Sequence, residues 1–246
     1  MYLKLLSVLI AVLAINSNLF ADKVEDIIQN SIKNAGGTEK FENIKTITFS
    51  ADMNIAAQGV DLKLNFSLVK PNMMKLVTIV PSMGMELEAG TDGTDFWGTA
   101  PGSKDRVKIP EENLMQIQAQ LNGFKGLLDP PMLDFKNRGL KSEYKGIEDI
   151  DEKKCEVIIF TQEDGSKSEM FFDAISNLIY LNKSVVSSEG QEFVIEMKVK
   201  EYQRVDGMTL PKRIEVYQNG QMQQKITISE VKFNTQLNPD DFKLKK

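Results

Sequence analysis

The chain holds no histidine in 246 residues, a single cysteine and a single tryptophan, and only one long apolar run, near its start. Without histidine there is no Ser-His-Asp or Cys-His nucleophile system, no histidine-ligated zinc and no imidazole acid–base chemistry. The lone Cys155 cannot close an intramolecular disulfide, so the fold depends on its core. It lies in the apolar run Cys155-Glu156-Val157-Ile158-Ile159-Phe160, which reads as a buried, inert thiol. Carboxylate pairs can still hydrolyse glycosides, but no pair stands out among 35 scattered acids. Asp92 and Asp95 flank a Gly-Thr turn and read as turn residues. The chain reads as non-catalytic, with no metal and no cofactor.

The apolar run decides the expected compartment. Lys4 supplies a positive start, Leu5 to Ile15 form an apolar stretch of about eleven residues, and Leu19-Phe20-Ala21 places a small residue before Asp22. A membrane-spanning helix needs about twenty apolar residues, so residues 1–21 read as a signal peptide cleaved after Ala21. No cysteine stands at that site to carry a lipid anchor, so the expected product is a released, unlipidated periplasmic protein. Past Ala21, 29 basic side chains against 35 acidic ones leave a net charge of −6, which argues against nucleic acid as a partner. Lys243-Leu244-Lys245-Lys246 reads as a solvated tail.

Residues 22–246 read as one mainly β domain with two helical stretches. Asp22 and Glu25 form a capping box; Val24, Ile27, Ile28, Ser31 and Ile32 share a helix face, and Gly36-Gly37 ends it. Ile47, Phe49, Ala51, Met53 and Ile55 then alternate with polar residues, Gln58-Gly59 turns the chain, and Val60, Leu62, Leu64, Phe66 and Leu68 alternate in turn. Strict period two with one apolar face predicts a hairpin. Further strands are predicted at 73–80, 84–90, 94–99, 139–147, 154–161, 167–173, 177–186, 191–204, 212–218 and 221–233. The turns Asp92-Gly93, Asp164-Gly165, Glu189-Gly190 and Asn219-Gly220 punctuate them. The apolar phase shifts from Ile226 and Ile228 to Val231 and Phe233, which predicts a bulge.

The second helix is predicted over about 111–128. Glu111 and Glu112 charge its first turn after Pro110, Leu114, Ile117, Leu121, Phe124 and Leu128 form its stripe, and Pro130-Pro131 ends it. Such a stripe must bury on the sheet, either as ordinary core or as a movable lid. Gly123 and Gly126 weaken the helix by about 1 kcal/mol each relative to alanine. Met53, Met73, Met74, Met83, Met85, Met115 and Met132 concentrate in the same half of the chain, and flexible methionines suit adaptable apolar surfaces. Phe96 and Trp97 must lie on opposite faces of a strand, so at most one can face a cavity.

Several segments in order resemble one family: Ala35-Gly36-Gly37 with Phe41 and Ile44, Asp92-Gly93-Thr94 before Trp97, and Phe172-Asp173-Ala174 before Leu178. Tyr202-Gln203-Arg204-Val205-Asp206-Gly207-Met208-Thr209-Leu210-Pro211 and Asn238-Pro239-Asp240-Asp241-Phe242 complete the set. Together they are similar to the outer-membrane lipoprotein-sorting proteins of the LolA-like superfamily. The resemblance implies an antiparallel, unclosed β half-barrel with a helical lid over its concave apolar face. It implies a monomeric carrier that binds lipoprotein acyl chains or another lipid and shuttles them toward the outer membrane, between inner-membrane donor and outer-membrane acceptor proteins. A lipid-sensing interaction module of the same fold is the alternative. Strand pattern assigns Ile47, Phe49, Met53, Leu62, Leu64, Phe66, Leu68, Leu76 and Trp97 to the cavity, and helix periodicity assigns Leu114, Ile117, Leu121 and Phe124 to the lid. Which face is concave follows from the resemblance.

Overall fold

The computed structural model describes residues 23–128, 139–188 and 190–244, without the side chain at 188. The expected signal segment 1–21, the cap Asp22, Pro130-Pro131, Met132, Glu189 and Lys245-Lys246 lie outside the described residues. The fold is mainly β. Its strands are β1 (Thr46–Ile55), β2 (Val60–Val69), β3 (Met73–Val80), β4 (Met85–Thr91), β5 (Phe96–Thr99), β6 (Arg106–Lys108), β7 (Lys141–Ile150), β8 (Lys153–Thr161), β9 (Lys167–Asp173), β10 (Ile179–Ser188), β11 (Gln191–Val205), β12 (Met208–Gln218) and β13 (Gln221–Phe233). They form one antiparallel, unclosed sheet in the order β6-β5-β4-β3-β2-β1-β13-β12-β11-β10-β9-β8-β7. Among the described residues three α-helices accompany it: α1 (residues 23–35), α2 (Thr38–Asn43) and α3 (Glu111–Leu128). The chain divides into two compact units, one ending at Ala35 and resuming over Met132–Glu196, the other Gly36–Pro131 with Met197–Lys246.

In the first unit α1 buries the predicted stripe. Val24, Ile27, Ile28 and Ile32 pack against Ile158 and Phe160 of β8 and Met170 and Phe172 of β9. Four side chains at about 1.5–3 kcal/mol each give the helix a stability that its short length alone would not. Lys23 Nζ lies 2.8 Å from Glu156 Oε1, and the Tyr144 hydroxyl donates to Glu156 Oε2, which ties the first turn to β7 and β8. The opposite face of β8 is also covered: Cys155 and Val157 cluster with Phe171, Tyr180 and Leu181. Two covered faces explain why residues 155–160 show no alternation. Burial, and then the nearby Asp173 carboxylate, push the Cys155 thiol up to about 11, so it stays protonated.

In the second unit the β1–β2 hairpin pairs as its pattern requires. Phe49 faces Phe66 and Met53 faces Leu62 on one side; Asp52 faces Lys63 and Asn54 faces Asp61 on the other. The bulge is present, where the β1–β13 register shifts between Thr48 and Ser50 and Glu230 adopts a positive φ of 50°. Three elements differ from expectation. A six-residue α2 follows Gly36-Gly37 and buries Phe41, too short a segment for periodicity to register. The three-residue β6 is equally short. β12 runs back through Pro211 to Met208 rather than starting at 212; its ladder with β13 begins at Arg213, so the missing proline N–H costs that ladder nothing.

Candidate functional site: an apolar sheet face beneath a mid-chain helix

Register carries one apolar face across five strands of the second unit. Ile47, Phe49, Ala51 and Met53 of β1 face Leu68, Phe66, Leu64 and Leu62 of β2. Leu68, Phe66 and Leu64 in turn face Met74, Leu76 and Thr78 of β3, and Leu76 faces Ala89 of β4. On the other flank Ala51 and Met53 face Ile228 and Ile226 of β13. Most of these side chains are buried, whereas Leu62 is only half-buried.

Helix α3 packs on that face. Phe124 places its ring 6.0 Å from Phe49 and 5.9 Å from Phe66, whose own rings lie 5.2 Å apart. Tilted triples at such distances add about 0.5–1.5 kcal/mol per pair beyond area burial. Lys125 Nζ donates to Pro71 O at 2.7 Å and to Asn72 Oδ1 at 3.1 Å, pinning the end of the helix to the β2–β3 turn. Burial along α3 is graded. Leu121, Phe124, Leu127 and Leu128 are buried, Leu114 and Ile117 are half-buried, and Met115 is 80% exposed. The helix is thus anchored by its C-terminal half and loosely covered over its N-terminal half. On the sheet, exposure rises toward the β1–β2 and β3–β4 turns, where Ile55, Val60, Leu62, Met85 and Leu87 are all half-buried.

Trp97 is on the reverse face, which corrects its assignment to the cavity. Ala89 faces Gly98 and Thr91 faces Phe96 on the α3 side, while Gly90 faces Trp97 on the other. Counting register from β1 to β5 leaves Phe96 toward the helix and Trp97 away from it. Trp97 is fully buried there, with its Nε1 donating to Phe242 O at 2.7 Å and the Arg106 guanidinium stacked 3.9 Å above its ring. A Cβ at Gly90 would lie 2.5 Å from the indole, so only glycine lets the ring lie flat on β4. Arg106 also donates to Lys243 O at 2.8 Å and to Glu88 Oε2 at 3.2 Å, and Lys75 lies 2.8 Å from Glu88 Oε1. Burial raises the Glu88 pKa, but the bonds from Lys75 and Arg106 outweigh it and hold the carboxyl below its ordinary value. This assembly fastens the C-terminal segment to the sheet.

Leu127, Met74, Val80, Ile226 and Ile228 are buried too, outside the residues that strand pattern and helix periodicity assign to the site. Leu127 follows Phe124 at the same spacing of three, and Ile226 and Ile228 show the alternation that marked β1; only their neighbours across the sheet reveal that they share its face. Among the described residues, no helix is long and apolar enough to cross a membrane.

No protein-family profile and no curated protein sequence matches the chain. Solved structures do. A DUF1329 family protein from Desulfovibrio piger superposes with a TM-score of 0.61 at 12% identity, over 89% of this chain and 97% of that one. A domain assigned as an outer membrane lipoprotein-sorting protein, from Vibrio parahaemolyticus, gives 0.55 at 14% identity, over 87% and 97%. A LolA superfamily protein from Nitrosomonas europaea gives 0.55 at 13% identity, over 89% and 96%. At such identities the likeness is one of fold, and it agrees with the fold that the sequence resemblance implied.

Proposed function

We propose that this protein is a non-catalytic carrier that binds an acyl chain of a lipoprotein or another lipid against the α3-covered face of its second unit. The observation that carries the reading is a continuous apolar surface across β13, β1, β2 and β3, met by Phe124 of a helix whose burial falls from Leu121–Leu128 to the half-buried Leu114 and Ile117. Shielding a sixteen-carbon chain is worth about 12 kcal/mol at about 0.8 kcal/mol per methylene, so a carrier needs area more than polar contacts. Ile47, Phe49, Met53, Leu62, Leu64, Phe66, Leu68 and Leu76 line the site, with Leu114, Ile117, Leu121 and Phe124 over it. Likeness to a lipoprotein-sorting domain supports the same reading. After cleavage at Ala21 the protein works as a periplasmic monomer, between a donor and an acceptor at the two membranes.

The test pairs native mass spectrometry with mutagenesis. Gently purified protein is expected to carry a lipid or acyl-peptide mass that denaturation releases. Leu64→Glu, at a site 2% exposed, places an unpaired charge on the face and should abolish uptake of an apolar fluorescent dye. A Leu64→Glu protein that keeps its wild-type circular dichroism and still takes up the dye normally places the ligand elsewhere.

A further inference from the structure

Three hairpins of the second unit close at the same end of the sheet. Register sets this: Ile55 faces both Val60 and Gln224, Val80 faces Met85, and Gln218 faces Gln221. The β1–β2, β3–β4 and β12–β13 turns therefore stand side by side. Eight residues at each hairpin end, 53–60, 78–85 and 217–224, contain no Asp, Glu, Lys or Arg. A chain that is 26% charged would place about six charges in those 24 positions. The turns at the opposite end carry Lys70, Asp92, Asp95 and Asp206, so the neutrality belongs to one end and not to turns in general.

The neutral tips are also fully presented. Ala56-Ala57-Gln58-Gly59, Pro81-Ser82-Met83-Gly84 and Asn219-Gly220-Gln221-Met222 are exposed throughout, with Met83 at 63% and Met222 at 42%. Charges resume one to three residues outside those windows, at Asp52, Asp61, Lys63, Glu86 and Lys225. The result is an uncharged rim with a charged girdle behind it.

We propose that this rim rests on a lipid bilayer surface, its tips in the headgroup layer and the girdle in water. Charge matching selects the partner. Desolvating a charge at the edge of a low-dielectric layer is costly, and the rim offers none to desolvate. A flat surface can touch several tips at once without side-chain complementarity. A protein partner would call for anchors such as Trp or Arg, and the tips hold neither. Binding is weak and reversible, because two methionines and a few small residues insert little area. The inference goes beyond the carrier reading and does not depend on what the apolar face holds.

Flotation with vesicles of neutral phosphatidylcholine tests it on the full processed chain. The wild type should co-float, and Gln58→Glu with Gln221→Glu, which add charge without changing shape, should weaken partitioning about tenfold. Met83→Glu with Met222→Glu should do the same, whereas Thr94→Glu at the opposite end should leave it unchanged. Melting curves establish that each variant is folded. A wild type that stays out of the vesicle layer overturns the proposal, and so does flotation that both rim pairs leave intact. Cross-linking of rim positions to a protein in place of vesicle binding gives the surface to a protein partner and overturns it equally. Failure of flotation alongside normal dye uptake would leave the carrier reading standing.

Discussion

Phe124→Ala removes the ring that joins α3 to Phe49 and Phe66. Phe124 is 6% exposed and lies within 6.0 Å, ring to ring, of both partners. Truncating a buried phenylalanine costs about 3–5 kcal/mol, and the partial loss of two aromatic pairs favours the upper part of that range. In a chain of this size each kcal/mol moves the midpoint by about 2–4 °C, so Tm should fall by at least about 6 °C. Ile117→Ala, seven residues earlier on the same stripe, sits where burial is only partial. It should cost less than half as much, about 1–2 kcal/mol. Thermal melts by circular dichroism rank the two, and hydrogen exchange reads the helix itself: amides of 111–120 should exchange before those of 121–128. Equal losses at the two positions, or uniform protection along α3, would refute the graded-cover argument. The helix would then be a uniformly packed core element, with no loose half to admit a ligand.

Trp97→Ala should lower Tm by an amount comparable to Phe124→Ala yet leave dye uptake unchanged, because the indole faces away from α3; coupled loss of uptake would place it at the site after all. The Glu88 carboxyl is held below its ordinary value of 4.5 in the folded state. The stability it contributes is therefore present above that pH and is lost as pH falls through the depressed folded pKa. Glu88→Gln should flatten the acid limb of the Tm–pH profile below about pH 4.5, and an unchanged limb would show that the Lys75–Glu88–Arg106 cluster adds nothing. Cys155, fully buried and pushed up to about 11, should react with an aromatic disulfide at pH 8 only after denaturant is added. Labelling of the native protein at the free-thiol rate would contradict its burial.

Sequence pattern revealed most where one face of a strand is dry and the other wet. The β1–β2 hairpin shows this: Phe49 and Phe66 alternate with Ser50 and Asn65, and register then follows. The same signal located the bulge, because a change of phase between Ile228 and Val231 has no other geometric reading. It failed where the information is non-local. The side taken by Trp97 depends on counting pairs through β2, β3 and β4, and its cover is Phe242, 145 residues away. Short α2 and β6 contain too few residues for any period. The grading of α3 was equally hidden, since Leu114 and Phe124 belong to one stripe of the pattern and differ in how far each is buried.

The sheet order also has a kinetic meaning. β1, at the centre of the second unit, pairs on one side with its neighbour β2 and on the other with β13, so that Ile47 faces both Leu68 and Phe233. Helix α1 waits in the same way, with Lys23 meeting Glu156 across 133 residues of sequence. Neither contact can form on a nascent chain until its distant half has been made, and loop closures of this span slow folding. A chain that stays unfinished until its last strand arrives remains threadable for as long as it is being synthesised. Shortening it by β13 should leave β1 with an open edge and yield aggregation rather than a smaller folded protein.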